Sequence, residues 1–406
     1  MTVYRPADAA EAAEVIAAAA AERQPLELLA GGTKRGLGRP MRTSHSLDAS
    51  RLSGVIDYDP PELQLTAHAA TPMAQIESLL ADNRQMLAFE PPDWRGLMGS
   101  HGTSTLGGVI ACNLAGPRRV RAGAARDHIL GFFGVNGRGE SWKAGGKVVK
   151  NVTGYDLSKL QCGAYGTLSL LTQITVKVMP RPETVCSLLF RGLSDEAAIA
   201  LSSQALNTPQ EVSAAAHLPA AAARRSQVTA VADRSDTVTV FRLEGPTPSV
   251  ISRLASLRAQ LGGGEPLQAD DSRLLWDEIG AVRPLLAAHN RCLWRLCPTP
   301  AAAPLVQQQV RAKLPSSEGF YDWGGGLLWL SIDAREAGAD GGAQVVRNAL
   351  RQAAGHATLI LASDAVRTNV PVFQTLPAPL AALNQRVKYG FDPHGILNPG
   401  RMREDQ

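Results

Sequence analysis

Three short runs of small residues carry the chemistry this sequence can do. The first, Leu28 to Gly38, holds Gly31, Gly32, Thr33, Lys34, Arg35, Gly36 and Leu37. The second, Thr105 to Arg119, holds Leu106, Gly107, Gly108, Cys112, Asn113 and Gly116 and ends in arginines. The third runs from Gly145-Gly146-Lys147 through Asn151 and Gly154 to Leu157. Glycine buries no side chain and loses the most backbone entropy on folding, so such runs make poor core segments. What they can do is close on an anion. Glycines permit positive φ, successive N–H groups form a nest, and Lys34 or Arg35 adds charge. One such loop alone is equally well a strand-to-loop turn with solvated basic residues. Three inside one N-terminal block predict a large phosphate-bearing cofactor wrapped by backbone.

Other reactive residues are scattered. His101, in Gly99-Ser100-His101-Gly102, is the one candidate active-site histidine, with a surface loop residue as its alternative; no orienting acid stands near it. His356 and His394 belong to no H-x-x-x-H pair, and no metal site is expected. Arg118, Arg119, Arg121 and Arg126 form a basic cluster that could bind phosphate, grip a substrate carboxylate, face a partner, or lie solvated. Gly134-x-x-Gly137-x-Gly139 follows an apolar strand but opens no helix, and reads as a hairpin turn. Five cysteines include no C-x-x-C, so they are read as reduced core residues that hold no iron–sulfur cluster. On a strand, the offset between Cys292 and Cys297 puts them on opposite faces.

The elements that must hold these loops alternate helix and strand. Asp8 to Ala21 reads as a helix and Leu26 to Ala30 as the strand leading into the first loop. Leu63 to Ala69 alternates with period two, and Thr71-Pro72 opens a helix as N-cap and first-turn proline. Further strands are expected at Val109 to Ala111, Leu130 to Val135 and Leu168 to Val178. Beyond Pro180 and Pro182 the rhythm changes. Strands at 185–190, 237–243, 291–296 and 327–332 each precede a helix, and 357–362 adds a last strand. This predicts a second, α/β domain with its helices on one face of a sheet. A turn-rich tail with two prolines and two glycines follows at 391–400.

Composition narrows the class. The chain has 406 residues, too many for one core, with 45% hydrophobic and 19% charged residues. A net charge of +4 without dense basic stretches argues against nucleic acid. No apolar run reaches the roughly 18 residues of a membrane helix, and no signal peptide is read, so a cytoplasmic protein is expected, with at most peripheral membrane contact through partners.

Order and wording of the loops resemble the two-subdomain FAD-binding fold of the vanillyl-alcohol oxidase type, and within it the FAD-binding subunits of bacterial glycolate oxidase (glycolate dehydrogenase). Asn113-Leu114-Ala115-Gly116-Pro117-Arg118-Arg119, Lys150 to Ser158, Tyr321-Asp322-Trp323-Gly324-Gly325, Ala354 to Thr358 and Asn398-Pro399-Gly400-Arg401-Met402 carry it across nearly the whole chain. The resemblance implies an α+β protein: a PCMH-type FAD-binding domain of two α+β subdomains at 1–182, an α/β cap at 183–375, and a tail at 376–406 returning to the FAD domain. It implies FAD held non-covalently, since the first loop lacks the histidine that some members attach to flavin. Gly31 to Leu37 would form the pyrophosphate loop, and Thr105 to Gly116 the second flavin loop. Pro91 belongs with the contacts, and Gly154, Gly166, Thr167 and Leu170 with later ones toward the adenosine half. It further implies oxidation of a small 2-hydroxy acid, glycolate to glyoxylate, with electrons leaving through a second flavoprotein subunit and an iron–sulfur subunit. Two alternatives stay open: an FAD-bearing electron-relay or structural subunit with no oxidation of its own, and a self-sufficient flavin-dependent oxidase.

Overall fold

A computed structural model describes residues 2–147, 154–286 and 290–404. The quoted motif residues 150–153 lie outside the described residues. Helices and sheets mix without regular alternation, and the fold class is α+β.

The first layer is a small parallel sheet in the order Thr2–Tyr4, His45–Asp48, Leu26–Leu29. The helix Ala9–Ala21 crosses between its outer strands and is rich in alanine, the best helix former. Asp8 caps it, accepting from the amides of Ala10 and Glu11 at 2.9 Å. Beside it stands a five-stranded antiparallel sheet in the order Val55–Asp59, Gln64–His68, Ser169–Lys177, Ile129–Asn136, Ser141–Gly145. The Gly134–Gly139 run sits at the hairpin joining the last two strands, as its spacing predicts. Residues 109–111 are not a strand. Thr105 Oγ1 accepts from the Gly108 amide at 3.3 Å and caps a short helix, Leu106–Ala111, which buries Leu106, Val109 and Ile110. Thr71 is not the cap of the next helix. It is buried, and its hydroxyl donates to the His68 carbonyl at 2.7 Å, while Pro72 precedes the helix Met73–Asp82.

The second large layer is an eight-stranded antiparallel sheet. Its order is Glu265–Gln268, Thr184–Arg191, Val238–Gly245, Ala214–Leu218, Glu318–Asp322, Leu327–Asp333, Arg291–Cys297, His356–Leu361. Helices do not keep to one face of it. Leu188, Ala215, Phe241 and Leu243 pack with Val250 and Leu257 of the helix Thr247–Gln260. Leu189, Ala214, Ala216 and Val240 pack on the other face with Leu275, Trp276 and Ile279 of the helix Ala269–Gly280. Strand residues buried on both sides lose the alternation that marks a one-sided sheet, which is why Ala214–Leu218 escapes a periodicity reading. Cys292 and Cys297 do face opposite ways, into separate cores.

Aromatic and ionic contacts lock the layers. Trp94 meets Trp329 edge-on at 5.6 Å, and its indole N–H donates to the Gly280 carbonyl at 3.1 Å. Arg242 forks onto Glu90 at 2.8 and 2.9 Å, while Arg118 reaches Glu244 at 2.9 Å. The C-terminal segment is fastened by a buried pair: Lys388 Nζ donates to Asp392 Oδ2 at 2.7 Å and to the Thr167 and Leu397 carbonyls. Asp392 in turn accepts from the amides of Ile396 and Leu397. Removing one partner leaves a buried charge alone, at a cost of roughly 3–5 kcal/mol. Asp392→Ala is therefore expected to lower unfolding free energy by about that amount in urea titration. A loss below about 1 kcal/mol would show that this pair does not hold the segment.

Candidate active site

A cleft of about 790 Å³, counting its open mouth, lies among the first layer, the five-stranded sheet and the C-terminal segment. Its floor is where two loops touch backbone to backbone. A Cβ on Gly31 would stand 1.6 Å from the Thr103 carbonyl oxygen, and one on Gly102 would stand 1.9 Å from the Gly31 carbonyl oxygen. No side chain fits between them. Gly32 turns the first loop with φ +70°, in the left-handed region that favours glycine. Among the described residues, the amides of Gly32, Thr33 and Lys34 find no protein acceptor. The helix Leu106–Ala111 enters from the side, with Gly107 pressed on Ala69: its amide donates to the Ala69 carbonyl at 2.7 Å, and a Cβ would meet that oxygen at 2.8 Å.

Charge in the cleft is positive. Lys34 Nζ bonds only the hydroxyls of Thr33 and Ser104, both at 3.0 Å. Burial lowers its pKa, and the Asp93 charge pulls it part of the way back. Arg401 is 6% exposed, donates to the Lys34 carbonyl at 2.6 Å and leaves Nε without a partner; burial lowers its pKa too. The Cys112 thiol and Tyr165 hydroxyl are pushed up by burial, so both stay protonated near neutrality. Arg35 differs: it is spent on Glu27, at 2.7 and 2.6 Å. Open amides, a half-buried ammonium and a buried guanidinium form the donor set that a diphosphate needs, and Leu28, Leu29, Ala69, Ala70, Leu170 and Leu171 supply apolar walls for flat rings. These residues fit FAD.

The cleft gathers Gly31, Gly32, Thr33, Lys34, Arg35, Thr105, Gly107, Gly108, Cys112, Gly166 and Leu170. It does not gather the rest of the expected set. Leu37 and Leu106 are core residues, and Gly36 lies against Met98. Pro91 lines a separate cavity beside Trp276 and Asp277. Asn113 turns with φ 48° and accepts from the Arg126 amide. Gly116 is pinned against Glu90, Thr167 bonds the Ala164 carbonyl, and Gly154 and His101 are exposed. The basic cluster disperses: Arg118 pairs with Glu244, Arg121 pairs with Glu211, and Arg126 is exposed. Tyr165, Asn398 and Arg401 complete the wall without having been singled out as contacts. Asn398 accepts from the Leu28 amide at 2.7 Å and donates to the Tyr165 carbonyl at 2.8 Å, tying the tail to two loops. The quoted Asn398 to Met402 motif was the available signal. Among the described residues, no three histidine, cysteine or acidic side chains come together as metal ligands.

An FAD-binding domain model matches residues 2–145. The glycolate oxidase subunit GlcE of Escherichia coli (strain K12) is 34% identical over 389 residues, spanning 96% of this chain and 95% of that one. The chain belongs to that glycolate oxidase subunit family. It is an FAD-dependent oxidoreductase of the class acting on CH–OH donors, and FAD is its cofactor. The glycolate oxidase subunit GlcD of Bacillus subtilis (strain 168) is 31% identical over 188 residues, covering 46% of this chain and 38% of that one. The fold is shared with 4-ethylphenol oxidase from Gulosibacter chungangensis, with TM-score 0.74 at 13% identity over 99% of this chain and 89% of that one.

Two substitutions test this geometry. Gly31→Ala drives a methyl into the Thr103 carbonyl and should strip flavin on gel filtration. Gly36→Ala, whose Cβ meets only Met98 Sδ at 3.4 Å, should stay yellow. Equal flavin in both would remove the loop contact from the account. The second concerns Asp322, which burial pushes up to about 7 even though its carboxylate accepts from the Trp323 amide and faces Arg242. Between the unfolded carboxyl value near 4 and about 7, the folded state holds a proton that the unfolded chain has lost. Stability therefore falls as pH rises through that window. Asp322→Asn should flatten the fall in melting temperature across it, and an unchanged slope would contradict the burial argument.

Proposed function

We propose that the chain is the FAD-binding subunit of a multi-subunit glycolate oxidase. In this reading the complex oxidises glycolate to glyoxylate and passes electrons through flavin to an iron–sulfur partner. Full-length similarity to a glycolate oxidase subunit is the observation that carries the reading. FAD in the cleft supplies an acceptor for the hydride of the α-carbon. The chain's own residues do the rest. Amides of Gly32, Thr33 and Lys34, with the Lys34 ammonium, receive the diphosphate. Arg401 adds charge beside Cys112, and Tyr165 and Asn398 close the wall. Residues 1–182 form the FAD domain, 183–375 the cap, and 376–406 the tail that returns to the cleft. No helix among the described residues is long and apolar enough to cross a membrane. We place the protein in the cytoplasm, with any membrane contact made through a second flavoprotein subunit and the iron–sulfur subunit.

One observation favours the relay reading. Among the described residues, the cleft lining holds no histidine, aspartate or glutamate to take a hydroxyl proton. Anaerobic mixing with glycolate separates the readings while the flavin spectrum is followed. Flavin in this chain alone is expected to bleach slowly or not at all, and to bleach rapidly once both partner subunits are added. Brisk bleaching by the chain alone would overturn the subunit reading, as would a flavin that stays oxidised in the full assembly.

A further inference from the structure

Trp323 stands where the second glycine loop meets the eight-stranded sheet. Its indole N–H donates to the Gly116 carbonyl at 3.1 Å, so the ring is fixed to both. Two guanidiniums sit over that ring: Arg119 at 4.8 Å from its centroid and Arg295 at 5.0 Å. They come from different layers, Arg119 from three residues past Gly116 and Arg295 from the strand Arg291–Cys297. Both are half-buried. Among the described residues, neither makes a hydrogen bond or an ion pair.

Their neighbours are all spoken for. Arg118 has Glu244, Arg121 has Glu211, and Arg242 has Glu90. Asp322 feels the Arg295 charge, but its Oδ1 accepts the Trp323 amide. The aromatic face orients the two cations and stabilises each by about 0.5–2 kcal/mol, yet it brings no negative charge. Burial and the Arg295 charge both depress the Arg119 pKa, and the Cys297 sulfur and Asp127 pull it back only in part. Such a pair is costly to keep out of water unless an anion completes it. The Arg295 charge also acts on Tyr165, a residue of the FAD cleft wall. Diphosphate already has the open amides and Lys34 of the first loop. Two planar forks suit a carboxylate, which each can grip through paired N–H groups.

We propose that Arg119 and Arg295, set over Trp323, receive the carboxylate of a small 2-hydroxy acid at the seam between the glycine loops and the eight-stranded sheet. The assignment rests on the reading of the chain as a glycolate oxidase subunit. It makes Trp323 a positioning residue, whose ring holds both guanidiniums within about 5 Å of its centroid.

The test is calorimetric titration of the FAD-loaded full chain with glycolate, ethylene glycol and inorganic phosphate, repeated on Arg119→Met and Arg295→Met. Wild type is expected to bind glycolate and not ethylene glycol. Each variant should lose roughly tenfold or more in glycolate affinity, about 1.4 kcal/mol or more, at unchanged flavin content. Glycolate bound equally by wild type and both variants would overturn the arginine site and leave the proposed function standing. Arginine-dependent binding of phosphate without glycolate would overturn the carboxylate assignment and count against the hydroxy-acid reading. No anion bound by wild type would overturn the site outright.

Discussion

Everything in the cleft depends on one steric constraint: the carbonyls of Gly31 and Thr103 occupy the space where side chains at Gly31 and Gly102 would be. Two loops far apart in sequence can lie that close only as bare backbone. Once they do, the first loop has no strand or helix to pair with, and its amides at Gly32 to Lys34 point at whatever anion arrives. The neighbouring helix obeys the same rule at Gly107, where the Ala69 carbonyl takes the place of a methyl. Glycine here serves protein packing first, and cofactor access follows from it.

That ordering explains how much of the site could be read from residue types. Glycine pairs followed by Lys34 announce a phosphate loop, and Thr33, Lys34, Gly108 and Cys112 do line the cleft. Gly116, packed on Glu90, and Gly36, beside Met98, lie outside the cleft lining, yet such glycines look identical in sequence to those that line it. Leu37 and Leu106 turn their side chains into the core and anchor the loops from below. Thr105 shows the competition between local rules. Its neighbours Val109 and Ile110 favour a strand, but a capped helical turn satisfies the Gly108 amide and buries both.

Residues brought from afar were the hardest to see. Asn398 and Arg401 reach the cleft because the Lys388–Asp392 pair and the Asn398 bridge to Leu28 and Tyr165 fold the tail back on the first layer. The eight-stranded sheet was legible where β-branched and aromatic residues alternate, as in Val238–Gly245, and opaque at Ala214–Leu218, which is buried on both faces. Its packing against the glycine loops is charged as well as apolar. Glu244 stays well below the usual carboxylate range because Arg242 and Arg118 outweigh its burial. A seam fastened by ion pairs can hold two layers in register while leaving its unpaired arginines free to meet a ligand.

The central claim is that this backbone cradle holds FAD by contacts alone. Acid precipitation of the purified yellow protein, with the flavin in each fraction quantified and identified, tests it most directly. About one FAD per chain should appear in the supernatant, since the first loop offers no histidine for attachment. Flavin that stays with the pellet, or a protein that purifies colourless and takes up no FAD, would contradict the account.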